Sequence, residues 1–206
     1  MRKNQTYIKK LRTQAFGLGA CATMLLAALG TCQAQAGSQS KATVSDLAIT
    51  FAADRTNPVN GANTWLLGGS AELGAVAWKG LGPVVKVTGL TSDALASQRT
   101  PLNLVVTVFG PRYRFQPRHA SGKLSVFGEG MLGIANGFRG LFPSPSGSTT
   151  SSNSMALEVG GGVDWQLARH VAVRPVEASW LRTQFNNSTT NVQNHLILEG
   201  GLALRF

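Results

Sequence analysis

The sequence predicts an all-β protein whose strands form an eight-stranded antiparallel up-and-down transmembrane β-barrel. The main observation is the C-terminal stretch 191–206, in which apolar and polar residues alternate with the period of a β-strand. One face of this stretch is an apolar series with a terminal aromatic residue: Leu196, Leu198, Leu202, Leu204 and Phe206. A second observation is that no apolar run after residue 37 has the length of a transmembrane helix. A chain of this kind can span a membrane only as a closed sheet.

The first 36 residues have the organisation of a secretory signal peptide. Five basic residues precede an apolar run over 15–29, and Ala34-Gln35-Ala36 forms a small-residue cleavage site. An uncleaved membrane anchor is the alternative, but the apolar run is short for that role. We therefore expect a cleaved signal peptide at 1–36, a polar leader at 37–43 and an outer-membrane β-barrel domain at 44–206.

Charge and cysteine content narrow the functional classes. The formal charge is +10, but five of the nineteen basic residues lie in the signal peptide, and the mature chain has fourteen basic and nine acidic residues. Because the basic residues are dispersed and the chain is exported, we exclude nucleic acid as a partner. Cys21 and Cys32 both precede the cleavage site, so we expect no disulfide or cysteine–metal site. Lipidation of Cys32 is a minor alternative.

The first four strands are expected at 46–52, 64–78, 85–88 and 102–115. Asn-Pro and Asn-Gly pairs predict a loop over 54–63, Gly and Pro predict a tight turn over 79–83, and a longer loop is expected over 89–101. In each strand, alternate positions are expected to face the lumen, and we call these positions the inward parity. The first group of charged residues lies on it: Glu72, Lys86, Arg112 and Arg114.

The last four strands are expected at 123–135, 155–165, 171–185 and in the C-terminal stretch. The longest loop is expected over 136–154, where a low-complexity Ser/Thr run cannot bury an apolar core. The connections then alternate between long and short, as do the external loops and periplasmic turns of outer-membrane barrels. Pro175 in the seventh strand predicts a bulge or a strand end, and a bulge would keep Arg174 and Glu177, of opposite parity, away from lipid.

Five short motifs resemble those of small outer-membrane barrel proteins. They are Gly69-Ser70-Ala71-Glu72-Leu73-Gly74, Phe109-Gly110-Pro111-Arg112-Tyr113, Gly160-Gly161-Gly162-Val163-Asp164, His170-Val171-Ala172-Val173-Arg174-Pro175 and Leu204-Arg205-Phe206. On these residues the chain resembles the OmpA/OmpX-like superfamily of bacterial outer-membrane β-barrels, in particular its barrel-only branch. The resemblance implies that Phe206, with Leu204 and Leu202, is the signal read by the barrel-assembly machinery.

Nine charged residues on the inward parity are the candidate functional set. We expect them to form a lumenal network of ion pairs, because an eight-stranded barrel has room only for side chains. The set consists of Glu72, Lys86, Arg112, Arg114, Glu129, Glu158, Asp164, Glu199 and Arg205. Acid–base chemistry by paired carboxylates is the alternative interpretation of the same residues.

The sequence gives no pattern for a catalytic, metal or cofactor site. His119, His170 and His195 are each isolated in sequence, without metal-ligand spacing on a strand face, and each is interpreted as a turn or lumenal histidine. A barrel lipase or deacylase requires a Ser nucleophile, a His base and an acidic residue within reach. The chain lacks the Ser that the deacylases place two residues after the His in the position of His170.

The expected function is that of an integral outer-membrane barrel with a structural or surface-interaction role and a lumen filled by charged side chains. Strand-end aromatic residues are expected to form interfacial girdles: Trp65, Trp78, Tyr113, Phe115, Trp165, Trp180 and Phe185. The expected partners are outer-membrane lipid and the barrel-assembly machinery, and the expected state is a monomer. A lipid-modifying enzyme, a small-solute channel and a soluble barrel with an apolar interior are the alternatives.

Overall fold

The structure, a computed structural model, describes residues 44–56, 64–95, 100–117, 123–144, 147–186 and 191–206. The strands are β1 (Val44–Thr56), β2 (Thr64–Val76), β3 (Leu81–Leu95), β4 (Thr100–Phe115), β5 (Leu124–Ser144), β6 (Gly147–Ala168), β7 (Val171–Thr183) and β8 (Gln193–Arg205). Each strand pairs antiparallel with the next, and β8 pairs with β1 to close the barrel. The predicted eight-stranded up-and-down barrel is therefore confirmed. The signal peptide and leader predicted over 1–43 lie outside the described residues.

The barrel has two ends that differ in their connections. The turn end holds the start of β1, the end of β8 and the connections 77–80, 116–123 and 169–170. The hairpin end holds the other four connections, which follow β1, β3, β5 and β7. Within the described residues, no helix is long and apolar enough to cross a membrane.

The loop boundaries at the hairpin end differ from the prediction. The loop expected over 89–101 is mostly strand, because β3 continues to Leu95 and β4 begins at Thr100. The loop expected over 136–154 is also wrong, because β5 and β6 continue as a paired ribbon that joins Phe142 to Thr149. A ladder started by apolar pairs can continue through polar residues, whose backbone groups bond across the ribbon while their side chains remain in water. Consequently the expected alternation of long and short connections is not observed, and the hairpin end is extended by strands.

The predicted side-chain alternation is confirmed along most of the barrel. Outward residues are large and apolar, for example Phe51, Phe109 and Leu202, each of which is more than half exposed. Inward residues on the same strands, for example Thr50 and Val108, are buried. The strands also approach closely at glycine: a Cβ on Gly68 would lie 1.8 Å from a backbone oxygen of β3. A side chain at this position would separate β2 from β3.

The lumen contains an apolar layer as well as charged residues. A buried cluster lies mainly toward the hairpin end and is formed by Ala52, Leu66, Val84, Leu90, Leu102, Leu104, Val106, Val108, Met131, Ala135, Ala156, Leu181, Phe185 and Ile197. The interior is therefore not uniformly polar. Leu66, Leu104 and Ile197 lie on the inward parity because alternation alone decides which side chains enter the lumen.

Candidate functional site

The nine charged residues that the sequence predicts for the lumen are all buried there. The structure brings them together with three further charged residues, Asp46, Arg174 and Glu177. We call these twelve side chains the lumenal charge network. Its members are Asp46, Glu72, Lys86, Arg112, Arg114, Glu129, Glu158, Asp164, Arg174, Glu177, Glu199 and Arg205.

Lys86 forms the centre of the part of the network nearest the apolar layer. Its ammonium group donates to Glu158 at 2.9 Å and to Glu177 at 2.7 Å, and it lies 3.1 Å from Glu199. Glu199 also accepts hydrogen bonds from the hydroxyls of Thr50 and Ser70, both at 2.9 Å. Lys86 is 0% exposed, so its three carboxylate neighbours replace the water that it would otherwise require.

Two arginines form the middle of the network. Arg112 donates to Glu72 and Glu129, while Arg174 donates to Glu72 at 3.1 Å and to Glu177 at 2.7 Å. The guanidinium carbons of Arg112 and Arg174 lie 4.3 and 4.4 Å from the centroid of the Phe127 ring, within the range of cation–π contacts. Planar guanidinium groups suit this position because each can bond to two carboxylates while it stacks on an aromatic ring.

The network ends near the turn end of the barrel. Arg114 donates through Nη2 to Asp46 at 2.6 Å and to Asp164 at 3.3 Å. Arg205, from β8, donates through Nη2 to Asp164 at 3.2 Å and to the Ser125 hydroxyl at 2.9 Å. This part of the network joins residues from β1, β4, β5, β6 and β8.

The sequence contains a signal for each of the three additional members. Asp46 lies on the inward parity of β1, so strand alternation is sufficient to identify it. Arg174 and Glu177 cannot both point inward from a regular strand. The bulge predicted at Pro175 is confirmed by a register shift between Arg174 and Glu177, and both side chains are buried.

A second polar cluster lies at the hairpin end of the lumen. His195 is isolated in sequence but not in the structure: its Nδ1 lies 2.7 Å from Oδ2 of Asp54, and its Nε2 lies 3.3 Å from the Thr183 hydroxyl. The sequence does not reveal this contact, because Asp54 and His195 are far apart in sequence and come together only when β8 pairs with β1. His170 lies at the turn end, where its Nδ1 is 2.9 Å from the carbonyl oxygen of Arg205. His119 lies outside the described residues.

The order of hydroxyl, imidazole and carboxylate in this cluster resembles that of a catalytic triad. However, Asp54 and Thr183 are fully buried and His195 is nearly so. The hydroxyl of Thr183 also lies 3.3 Å from the side-chain oxygen of Gln193. A nucleophile requires access to its substrate, and this hydroxyl has no contact with solvent. The arrangement is that of a buried polar contact between β1, β7 and β8.

Phe142 and Phe185 form an aromatic contact beside this cluster. Their ring centroids are 5.6 Å apart, and Phe185 is only 7% exposed. The prediction that Phe185 belongs to an outer aromatic girdle is therefore wrong, because it continues the inward parity of Leu181 and Thr183. The other predicted girdle residues, among them Trp65, Trp165 and Trp180, are exposed.

Three carboxylates of the network lie close enough together for a metal ion. Oxygens of Glu72, Glu129 and Glu177 are within 4.8 Å of one another. The guanidinium groups of Arg112 and Arg174 already donate to these carboxylates. The positive charge that a metal ion would supply is thus provided by arginine.

Acidic and basic residues are distributed differently over the barrel. Eight of the nine acidic residues are buried in the interior. Among the residues whose side-chain exposure the structure describes, the exposed charged ones are basic: Arg55, Arg139 and Arg182 at the hairpin end, and Lys79, Lys123 and Arg169 at the turn end. We call the first three the hairpin-end arginines. The outer surface therefore has an apolar zone between two basic rims.

The residues predicted as the assembly signal lie at the end of β8. Leu202, Leu204 and Phe206 are exposed on the outer face of the barrel. The backbone N–H of Phe206 donates to the carbonyl of Ser45 at 2.8 Å, which extends the β1–β8 seam to the end of the chain. The terminal aromatic ring is therefore held at the outer edge of the turn end.

Comparisons with known proteins give structural matches only. No protein-family model matches the chain, and no curated protein sequence matches it. Neisserial surface protein A, NspA, is 15% identical with a TM-score of 0.63, and Ail, the attachment invasion locus protein of Yersinia pestis, is 16% identical with a TM-score of 0.56. Ail in complex with the heparin analogue sucrose octasulfate is 17% identical with a TM-score of 0.54.

Each of these matches covers 81% of this chain and 100% of the solved chain. The matched region thus accounts for the whole of each solved barrel, and the low identities mean that the likeness concerns the fold. Together with the closed antiparallel sheet described above, the matches show that this chain has the fold of the small eight-stranded outer-membrane barrels.

Proposed function

We propose that the protein is an integral outer-membrane barrel that interacts with partners at the cell surface through its hairpin end. The observation that carries this proposal is the apolar zone around the closed barrel. Residues such as Phe51, Phe109, Leu132 and Met155 are each more than half exposed and lie on different strands. A zone of this size would promote aggregation in water, whereas lipid is its natural solvent.

The orientation follows from the ends of the barrel. The turn end, where β1 begins and β8 ends, faces the periplasm, and the extended hairpin end faces outward. Residues 1–36 direct export, and the assembly machinery recognises Leu202, Leu204 and Phe206. The mature barrel is a monomer surrounded by outer-membrane lipid, whose anionic groups face the basic rims.

The lumen does not conduct ions in this proposal. The lumenal charge network fills one part of the interior, and the apolar cluster around Leu66, Leu104 and Ile197 fills another. A dehydrated apolar layer opposes the passage of ions, since an ion would lose its water there without a compensating ligand. Ion pairs across the bore further restrict movement of the charged side chains.

The basic hairpin end favours a polyanionic surface partner. The hairpin-end arginines are exposed, and the adjacent ribbon of β5 and β6 presents hydroxyl groups of Ser and Thr over 148–152. Because the eight carboxylates whose side-chain exposure is described are buried, they repel an approaching anion only weakly. The complex of Ail with a heparin analogue provides an example of an anionic ligand on a barrel of this fold.

The membrane assignment is tested by cell fractionation. The full chain is produced in a Gram-negative host, and the separated outer membrane is analysed for a heat-modifiable band. Recovery of this band in the outer membrane is expected, and recovery of the folded chain in the soluble periplasmic fraction would contradict the proposal. The purified barrel is expected to give no stable channels in a planar bilayer, and steady ion-selective currents would show that the lumen is open.

The partner assignment is tested by binding of heparin to the purified barrel. Replacement of the three hairpin-end arginines by Gln is compared with replacement of Lys79, Lys123 and Arg169 by Gln, which removes the same charge from the turn end. Only the first variant is expected to lose most of its binding. Binding of heparin to the unmodified barrel is expected to weaken as the salt concentration rises. Equal losses in both variants would indicate diffuse attraction without a surface site.

A further inference from the structure

The turn end contains a pocket that the proposed surface role does not use. It has a volume of about 380 Å³ and lies between the β2–β3 turn, the end of β4 and the end of β8. Its wall includes Lys79, Gly80, Tyr113, Arg114, Gln116 and Arg205. The described wall residues include three basic side chains and no acidic one.

Two buried guanidinium groups in this wall have unused hydrogen-bond donors. Arg114 and Arg205 are 9% and 8% exposed, and each donates to the lumenal charge network through Nη2. Among the described residues, the Nε atom of neither side chain has an acceptor. A buried N–H without a partner is unfavourable, and both side chains line the pocket, so the pocket is the nearest described space from which an acceptor can be supplied.

The charge balance of the pocket favours an anion. Asp46 and Asp164 accept from the guanidinium groups on the lumenal side and offset the charge of two arginines. Lys79 adds a third positive charge, and its ammonium lies 5.0 Å from the centroid of the exposed Trp78 ring. The pocket side of the two arginines therefore faces a region of net positive charge.

Backbone contacts hold the wall in place. The N–H of Arg114 donates to the carbonyl of Gly80 at 2.7 Å, and the N–H of Arg205 donates to the carbonyl of His170 at 3.0 Å. Gly80 has a φ of 91°, and a Cβ there would lie 2.3 Å from the carbonyl oxygen of Arg114. The close approach of the turn to β4 thus requires glycine.

We propose that this pocket binds a phosphate group. A phosphate offers several anionic oxygens, which suits two guanidinium groups and an ammonium that line one pocket from β4, β8 and the β2–β3 turn. Tyr113 and Phe115 line the same pocket and are about half exposed, as expected for aromatic residues beside lipid headgroups. The phosphate belongs either to a phospholipid headgroup or to free inorganic phosphate. Its location in the inner leaflet rests on the proposed function, whereas the binding itself does not.

The experiment measures binding in detergent, where the orientation in a membrane has no influence. The full chain, with its signal peptide removed, is refolded in micelles of a maltoside detergent, which contains no phosphate. Dihexanoyl-phosphatidylglycerol and inorganic phosphate are titrated separately while the side-chain Nε–H resonances of Arg114 and Arg205 are recorded by NMR. We expect saturable shifts of both resonances. Tighter binding of the lipid identifies a headgroup site, and equal binding of inorganic phosphate identifies a free-phosphate site.

A matched pair of variants separates the pocket from general surface charge. Lys79→Ala removes a charge from the wall, whereas Lys123→Ala removes an exposed charge from the same end of the barrel outside it. We expect Lys79→Ala to weaken binding roughly threefold to tenfold and Lys123→Ala to leave it nearly unchanged. Absence of saturable shifts in the unmodified protein, or equal weakening by the two variants, would overturn the proposal. If the membrane assignment fails but phosphate binding is intact, the proposed phosphate site is still supported.

Discussion

Replacement of Lys86 by Met tests whether the lumenal charge network stabilises the barrel through mutual neutralisation. Lys86 Nζ lies 2.7–3.1 Å from oxygens of Glu158, Glu177 and Glu199. Met has a similar length and no charge, so Lys86→Met keeps much of the packing and leaves three carboxylates without their shared cation.

The expected loss follows from these distances. A pair of unit charges about 3 Å apart attracts by about 6 kcal/mol at an effective dielectric constant of about 20, before the cost of removing both from water is subtracted. Removal of one partner from a buried ion pair commonly destabilises a protein by about 3–5 kcal/mol, because the remaining charge is left without compensation. Three carboxylates depend on Lys86, and we therefore expect a loss of at least about 3 kcal/mol.

The assay is equilibrium unfolding in urea with the barrel in detergent micelles, followed by tryptophan fluorescence. Trp65, Trp165 and Trp180 are exposed on the outer face and report loss of the surrounding detergent. Lys123→Met is the control, since Lys123 is exposed, and it is expected to change stability by less than about 0.5 kcal/mol. A loss below about 1 kcal/mol for Lys86→Met would refute the reasoning, because it would mean that the three carboxylates are compensated without Lys86.

Three other substitutions test separate parts of the structure. Leu202→Arg places a charge on the outer apolar zone and is expected to cost about 2–4 kcal/mol near mid-membrane and to abolish the heat-modifiable band, so normal assembly would count against the membrane assignment. Gly68→Ala is expected to destabilise the barrel by about 1–3 kcal/mol in urea unfolding, because its Cβ would meet the β3 backbone. Gly89→Ala is its control, since a Cβ there has no heavy atom within 4 Å, and equal effects would contradict the close approach. Phe142→Ala removes the ring that packs on Phe185 and is expected to cost about 1–3 kcal/mol in the same assay, whereas Phe138→Ala, on the outer face, should cost less than half as much.

Strand alternation is the part of the structure that the sequence predicts best. Glu72, Lys86 and Arg112 are surrounded by apolar residues of opposite parity, so a single period-two pattern identifies them as inward. The same reasoning places Glu129 inward in the less regular fifth strand, where the structure also buries it. Alternation is readable from sequence because it depends on neighbouring residues alone.

Pairings between distant strands are much harder to predict from the sequence. The contact of Asp54 with His195 joins residues 141 positions apart, and it depends on the register between β1 and β8. The paired ribbon beyond residue 136 was also not predictable, because Ser and Thr are common both in loops and in solvated strands. Phe185 is an aromatic residue of the type found in girdles. Only the exact course of the chain at the end of β7 shows that its ring points inward.

The position of Lys86 also has a consequence for the order of assembly. Lys86 lies on β3, whereas its three acidic neighbours lie on β6, β7 and β8. A partly formed sheet that contains only the first four strands therefore holds an ammonium group that faces Glu72 of β2 but lacks these three partners, and this group retains water in their place. Water can leave this part of the interior only after the last strands have arrived and the seam between β1 and β8 has closed. Drying of the lumen and closure of the seam are thus expected to occur as one late step, and early sheet intermediates should contain a wet interior.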